Sequence, residues 1–312
     1  MRIYPLRIID DNLNISFTHL KLYSFGISIL LSIASIILCI LYGLNLGIDF
    51  TGGILIEAKL PGSIINQVGE ISELRHSLNK LNIGEISLQT ASADNEIIIK
   101  IGKTKNGNSK EIIAIAKSSI EKIAESQEAG PNKVIYKKID FVGPQVGSIL
   151  IWSGIQSIIL CFIGIMIYVA IRFEWQFGLG VLIALIHDVI LSIGFMSITH
   201  LDFTLSSVAA LLTIVGYSVN DSVVIYDRVR ENMRKYHSKT IDDIINISTN
   251  ETLSRTTMTV ITTLIANLSL VIWGGEELYS FSVLVFFGIS AGTYSSIFIS
   301  APILKNLGVK AA

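Results

Sequence analysis

With 312 residues, 51% of them hydrophobic and only 16% charged, the chain has too little polar surface to coat a soluble globule of its size. Its mean hydropathy of +0.60 makes a membrane the expected solvent, and a formal net charge of −1 supplies no basic field that would draw it to nucleic acid. Cys39 and Cys161 each lie in a long apolar run, where they read as small hydrophobes and not as disulfide partners or metal ligands.

In chain order, the first apolar run covers residues 22–46. It is longer than a signal-peptide core and no small-residue cleavage pattern follows it, so it reads as an uncleaved span. Five further runs, 149–171, 177–198, 204–226, 256–273 and 278–304, each approach the roughly 20 helical residues that cross a hydrocarbon core. Arg2, Arg7 and Lys21 precede the first run, Arg172 follows the second, and Arg228, Arg230, Arg234, Lys235 and Lys239 follow the fourth. Lys305 and Lys310 follow the sixth, while the connections 200–203 and 274–280 carry no Lys or Arg. The positive-inside rule then expects both termini in the cytoplasm and the long segment after the first span in the periplasm of a bacterial inner membrane. The layout is residues 1–46, a domain over 47–147, and residues 148–312 with five spans.

Over 47–147 the hydrophobic period alternates between two residues and about 3.6. Strands are expected at 53–60, 85–91, 95–101 and 133–141, with amphipathic helices at 65–81 and 110–126. The order β-α-β-β-α-β is that of the ferredoxin-like split unit. No His/Cys cluster, nucleophile or phosphate-cradling loop appears in it, so it reads as a docking or substrate-contacting module. At its two ends, Asp49, Gly52 and Gly53 on one side and Gly143 and Pro144 on the other read as turn chemistry where membrane helix meets domain. A polar insert at about 228–255 carries a capping box, Thr240 with Asp243, followed by Ile241, Ile244, Ile245 and Ile247. The expectation there is a short amphipathic helix lying along the cytoplasmic interface.

Ionisable side chains inside a span are costly enough to be functional candidates. Asp221 lies near the cytoplasmic end of the fourth run, next to Asn220, on a face shared with Tyr217, Thr213, Ala210 and Ser206. The fifth run shows a similar stripe in Arg255, Thr259, Thr262 or Thr263, and Ala266. Asp221 and Arg255 read either as a static ion pair between helices or as a proton-handling pair, in which a cation that approaches or leaves alters the carboxyl's affinity for a proton. His187 and Asp188, near the middle of the third run, form a second candidate pair, against the plainer reading of His187 as a packing residue. Asp227, Arg228, Arg230 and Glu231 read as a solvated cluster at a helix exit. Gly288 and Gly292 make a small-xxx-small face on the sixth run, continued by Ser295, Ser296 and Ser300. No cofactor and no metal site is expected.

Six motifs, taken together and in order, resemble the SecD/SecF family of protein-export membrane proteins, and within it the SecF members. They are GIDFTGG at 47–53, FVGPQVG at 141–147, RFEW at 172–175, ALIHDVI at 184–190, VGYSVNDSVVIYDRVREN at 215–232 and TLSRT at 252–256. The resemblance implies half of a core of the resistance-nodulation-division type, completed by a SecD-like protein. It further implies work beside the SecYEG channel, often with YajC and YidC, assisting export of unfolded preproteins with the proton motive force. Asp221 and Arg255 match family positions implicated in proton passage. Two rivals stand beside this reading: a half-size exporter of the related superfamily, which would need a large apolar pocket outside the membrane, and a scaffold with no titrating residue. An enzyme is not expected, since no catalytic constellation is present.

Overall fold

The computed structural model describes residues 14–59, 78, 86–91, 96–102, 109–126 and 134–309. They divide into two units, one of residues up to 45 and from 155 onward, the other of residues 46–154. The principal elements in chain order are α1 (Phe17–Tyr42), β1 (Gly53–Lys59), β2 (Ile86–Ala91), β3 (Glu96–Ile101), α2 (Ser109–Ser126), β4 (Ile135–Val142), α3 (Pro144–Arg172), α4 (Trp175–Thr199), α5 (Leu205–Lys235), α6 (Ile241–Trp273) and α7 (Gly275–Ser295). A π-helical turn, Ser296–Ser300, joins α7 to a last helix α8 (Ala301–Asn306).

Six helical segments are long and apolar enough to cross a membrane: α1, α3, α4, α5, α6 and the stretch from α7 to α8. Half or more of the apolar window is buried in α4, α5 and the last segment, which are therefore central, whereas α1, α3 and α6 are peripheral. The outer helices turn small polar groups inward and large apolar ones outward, the inverse of a soluble helix. On α1 the buried residues include Ser24, Ser28 and Ser35, while Ile29, Leu30 and Ile33 are exposed. Ser28 Oγ lies 3.2 Å from the Tyr294 hydroxyl, and a methyl group at Gly194 of α4 would come within 2.3 Å of Ser35 Cβ. The start of α1 is capped from α6: Asn246 Oδ1 accepts from Thr18 N and Asn250 Oδ1 from Ile15 N, both at 3.0 Å. Four orphan N–H groups are expected at a helix start; Asn246 satisfies one of them, Thr18 N–H, and Asn250, one turn on, holds Ile15 just ahead of the N-cap Ser16.

The expected polar insert at 228–255 is corrected. Only residues 236–240 are non-helical, and α5 and α6 continue on either side of them for 31 and 33 residues. At 1.5 Å per residue each is roughly 45–50 Å long, well beyond a hydrocarbon core of about 30 Å. No Gly or Pro occurs between Ile241 and Trp273 to end α6 early, and Thr240 with Asp243 forms the capping box that starts it. Ile244 and Ile245 are buried in a cluster with Phe17, Val229 and Leu304, so this apolar face packs on protein and not along a lipid surface. The sixth span is likewise not one regular helix. Pro302 has no N–H to give the carbonyl four residues back and its ring crowds that turn, and the wide π-helical turn lies directly before it.

In the second unit the sheet order is β2-β3-β1-β4, with each neighbouring pair antiparallel. That order is the ferredoxin-like one. Ile97, Ile99 and Ile101 of β3 and Ile54, Ile56 and Ala58 of β1 alternate into the core, the two-residue period of a half-buried strand. Helix α2 covers this face with Ile112, Ala116 and Ile120, spaced four apart. The helix expected at 65–81 lies outside the described residues apart from Leu78, which is buried in the same core. Two glycines are required by geometry. Gly53 sits at φ +134° with no room for a Cβ, which would lie 2.4 Å from Ile101 O, and a Cβ at Gly147 would lie 2.6 Å from Phe50 O. Gly52, at φ +69°, closes the single helical turn Ile48–Thr51 that contains Asp49. Gly143 immediately precedes Pro144, the first residue of α3, where a missing N–H costs no hydrogen bond.

Candidate functional site

Three central helices meet on one carboxylate. Asp188 of α4 is fully buried, and its Oδ2 accepts from Ser218 Oγ of α5 at 2.7 Å and Ser295 Oγ of α7 at 2.8 Å. His187 Nδ1 lies 3.1 Å from Asp188 Oδ1, and His187 Nε2 is buried with no hydrogen-bond partner. Gly292 admits this meeting, since a methyl group there would stand 3.1 Å from Ser218 Cβ and 3.5 Å from Asp188 Oδ2.

From this hub a polar seam follows α5 in steps of four residues. Ser222 Oγ donates to Ser296 Oγ at 3.0 Å, and Ser296 Oγ donates to the Ser218 carbonyl at 3.1 Å. One turn on, the Tyr226 hydroxyl lies 2.7 Å from Ser300 Oγ and donates to Ser300 O at 3.1 Å. Gly180 of α4 leaves space for that hydroxyl, which would be 2.5 Å from a Cβ, and Phe177 packs edge-on against the Tyr226 ring at 5.0 Å. The π-helical turn lets the adjacent residues Ser295 and Ser296 both face the seam. Among residues not anticipated as polar contacts, Ser218, Ser222 and Tyr226 share an i, i+4 spacing that was the available signal.

Asp221 lies one turn from Ser218 on α5. It is 2% exposed, and its buried Oδ2 accepts no hydrogen bond. Arg255 is exposed on α6, and no ion pair joins it to Asp221 among the described residues. The static ion pair weighed from sequence is thus not a direct contact, although the two charges lie near enough to act on each other. Asn220 is exposed, as are Ser206, Thr213, Thr262 and Ala266 of the two stripes, whereas Ala210 is buried and Tyr217, Thr259 and Thr263 are half-buried. Gly288 lies against Ile214 of α5, whose Cδ1 would be 2.2 Å from an added Cβ. The charged cluster at the end of α5 is more ordered than a solvated exit. Arg228 donates to Glu251 of α6 at 2.7 Å and to Glu231 at 2.6 Å, and Asn232 Nδ2 donates to Glu251 at 2.7 Å. Among the described residues no group of His, Cys, Asp and Glu could hold a metal ion.

Six spanning helices around a buried polar seam, with an α+β domain inserted after the first, define a multi-pass membrane protein with carboxylates in its interior. The chain belongs to the SecD/SecF family of protein-export membrane proteins. The family described as "Protein export membrane protein SecD/SecF, C-terminal" matches residues 121–310, and the SecD/SecF GG motif matches residues 37–60, which contain Gly52 and Gly53. The chain is 54% identical over 304 residues to the protein translocase subunit SecF of Rickettsia akari, covering 97% of this chain and 95% of that one. Against the subunit of the same name from Rickettsia bellii (strain OSU 85-389) the identity is again 54%, with 97% of each chain covered. Among solved structures, the SecDF crystal structure from Thermus thermophilus superposes with a TM-score of 0.82 at 30% identity over 96% of this chain. A SecDF structure in a super-membrane-facing form gives a TM-score of 0.68 at 31% identity. The chain spans 39% of the length of each of those SecDF chains.

Proposed function

We propose that this chain is the SecF-type subunit of a protein-translocase accessory complex, a transport component and not an enzyme, and that Asp221 is its proton carrier. The observation that carries the proposal is a carboxyl 2% exposed in a membrane-spanning helix whose buried oxygen has no donor. That oxygen is stabilised as an anion by no hydrogen bond, and Arg255 acts on the carboxyl only at a distance and not as a close ion pair, so proton uptake and release are both open to it. Arg255, unpaired on the adjacent helix, would favour the charged form in the arrangement that brings the two together. The exposed members of the polar stripes on α5 and α6 need cover from lipid, which the helices of a SecD-like partner would supply. With both termini cytoplasmic and the inserted domain periplasmic, the complex would act beside SecYEG, with YajC and YidC, on unfolded preproteins leaving the channel.

A charge moving through 100 mV releases about 2.3 kcal/mol, and a bias of that size shifts a two-state helix packing by more than tenfold. Asp188 has a different role. Two hydroxyl donors saturate one of its oxygens, so it fixes α5 against α4 and α7 and thereby positions Asp221, with His187 beside it. Asp221→Asn is expected to abolish the part of preprotein export in membrane vesicles that depends on the proton motive force, while the complex still assembles. A variant complex that kept its full response would sink the proton-carrier role.

A further inference from the structure

We propose that the cleft where α3 ends, α4 begins and α5 leaves the bundle binds the phosphate of an anionic glycerophospholipid. This reading rests on the six spans alone and not on the proton-carrier role of Asp221, and the two fail in different assays.

The cleft encloses about 520 Å³ and is lined by Arg172, Asp227, Arg230, Glu231, Arg234 and Lys235. That volume lies within the roughly 300–1,000 Å³ of small-ligand sites. Four cations face two carboxylates, a formal excess of 4 − 2 = +2. The carboxylates are each engaged already. Glu231 Oε2 is held at 2.6 Å by Arg228, which does not line the cleft, and Asp227 forms an ion pair with Arg172 Nη2 at 3.7 Å, which leaves Arg230, Arg234 and Lys235 as the cations outside any ion pair among the described residues. Arg230 is placed in advance, because its Nη1 donates to the main-chain carbonyl of Arg172 at 3.1 Å. That uses one of its five N–H donors and leaves a planar fork suited to two phosphate oxygens. Arg234 and Lys235, a turn further along α5, are exposed and make no ion pair among the described residues.

Depth decides in favour of a lipid. Arg172 is the last residue of α3 and Trp175 the first of α4, so the cleft lies at the boundary of two spans. Within a turn of Arg172 along the chain, Tyr168, Ile171 and Trp175 are 59%, 81% and 60% exposed. An apolar wall leading from a cationic cleft, with a Trp at the boundary, matches a headgroup with acyl chains below it. A soluble anion or a nucleic-acid backbone has no use for that wall.

The test uses the full chain in its complex, extracted in detergent and offered equimolar phosphatidylglycerol and phosphatidylcholine, with the retained lipid read by native mass spectrometry. The expected result is preferential retention of phosphatidylglycerol, reduced about tenfold or more in Arg230→Gln/Arg234→Gln, since each Lys or Arg near an anionic headgroup contributes a large part of such a factor. Arg234→Gln alone, an exposed change that does not threaten folding, should give a smaller loss in the same direction. Lys239→Gln removes an equal charge outside the cleft and should leave retention unchanged. Equal retention of the two lipids would overturn the proposal, as would full retention by both cleft variants. A loss in Lys239→Gln as large as in Arg234→Gln, or complete displacement of the lipid by millimolar inorganic phosphate, would overturn it too.

Discussion

Substituting Gly288 by alanine tests whether α5 and α7 meet as closely as the structure has them. The added Cβ would lie 2.2 Å from Ile214 Cδ1, 2.4 Å from Cγ1 and 2.9 Å from Cγ2, where ordinary contact begins near 3.4 Å. The shortfall of 3.4 − 2.2 = 1.2 Å cannot be relieved by turning the side chain, because Ile214 is fully buried and β-branched in a helix, with one strongly preferred χ1. The helices must therefore part, at a cost of about 1–3 kcal/mol for overpacking. Ile214→Ala alone should cost about 2–5 kcal/mol as a cavity. Combined, the two changes should cost less than their sum by about 0.5–3 kcal/mol, since the smaller residue makes room for the methyl group. Gly292→Ala, whose nearest contact is 3.1 Å, should cost less than Gly288→Ala, and Gly26→Ala, with nothing within 4 Å, should be neutral. Unfolding midpoints in detergent titrated with dodecyl sulfate would measure all five. If Gly288→Ala matched the unsubstituted protein, or the pair were simply additive, the close approach of α5 and α7 would be refuted.

Ser218→Ala and Ser295→Ala each remove one donor from Asp188 Oδ2 and should each cost about 0.6 kcal/mol, up to about 1.7, in the same unfolding assay. Their effects should couple, and strict additivity would argue against a shared acceptor. Tyr136 donates to Lys117 O and Glu121 Oε1, both at 3.3 Å, and burial together with the Glu121 carboxylate holds its hydroxyl above the ordinary tyrosine range. With the folded value raised, its contribution is intact below the unfolded pKa of about 10 and lost as pH rises through the folded value. Tyr136→Phe should flatten the alkaline limb of the stability profile, and identical limbs would contradict the contact. For topology, a reporter at Lys122 should read the periplasm and one at Lys239 the cytoplasm, and the reverse pattern would invert the orientation.

The spans and the inserted domain were legible because each rests on a periodicity that one segment displays by itself. The alternation of Ile97, Ile99 and Ile101 and the i, i+4 run of Ile112, Ala116 and Ile120 are examples. Asp221 stood out for a similar reason, as a single ionisable group in an apolar run. The continuity of α5 and α6 is hidden in the sequence because a run of charge looks like a break, although charge ends a membrane span without ending a helix. Arg228, Asn232 and Glu251 lie on long helices that leave the bundle and clasp each other. Asp188 could be flagged but its partners could not, since Ser218 and Ser295 are 30 and 107 residues away and look like any small helix residues. Asn246 and Asn250 carry no signal of their own in the sequence, and only the fold brings them to the start of α1.

The wide turn at Ser296–Ser300 also makes the end of the chain sensitive to length in a way that side-chain substitutions would not reveal. An α-helix advances about 100° per residue, so shortening this turn by one residue to restore regular winding would rotate all of α8 by roughly that angle. Leu304, now fully buried, would swing out of the core, and Lys305 would swing away from Asp242, with which it pairs. Replacing a serine here alters one or two hydrogen bonds, whereas deleting one re-phases a whole helix. The spacing between the Asp188 hub and the carboxyl end of the bundle is thus metered in residue count as well as in chemistry, and insertions or deletions within 296–300 should be far less tolerated than exchanges among small side chains.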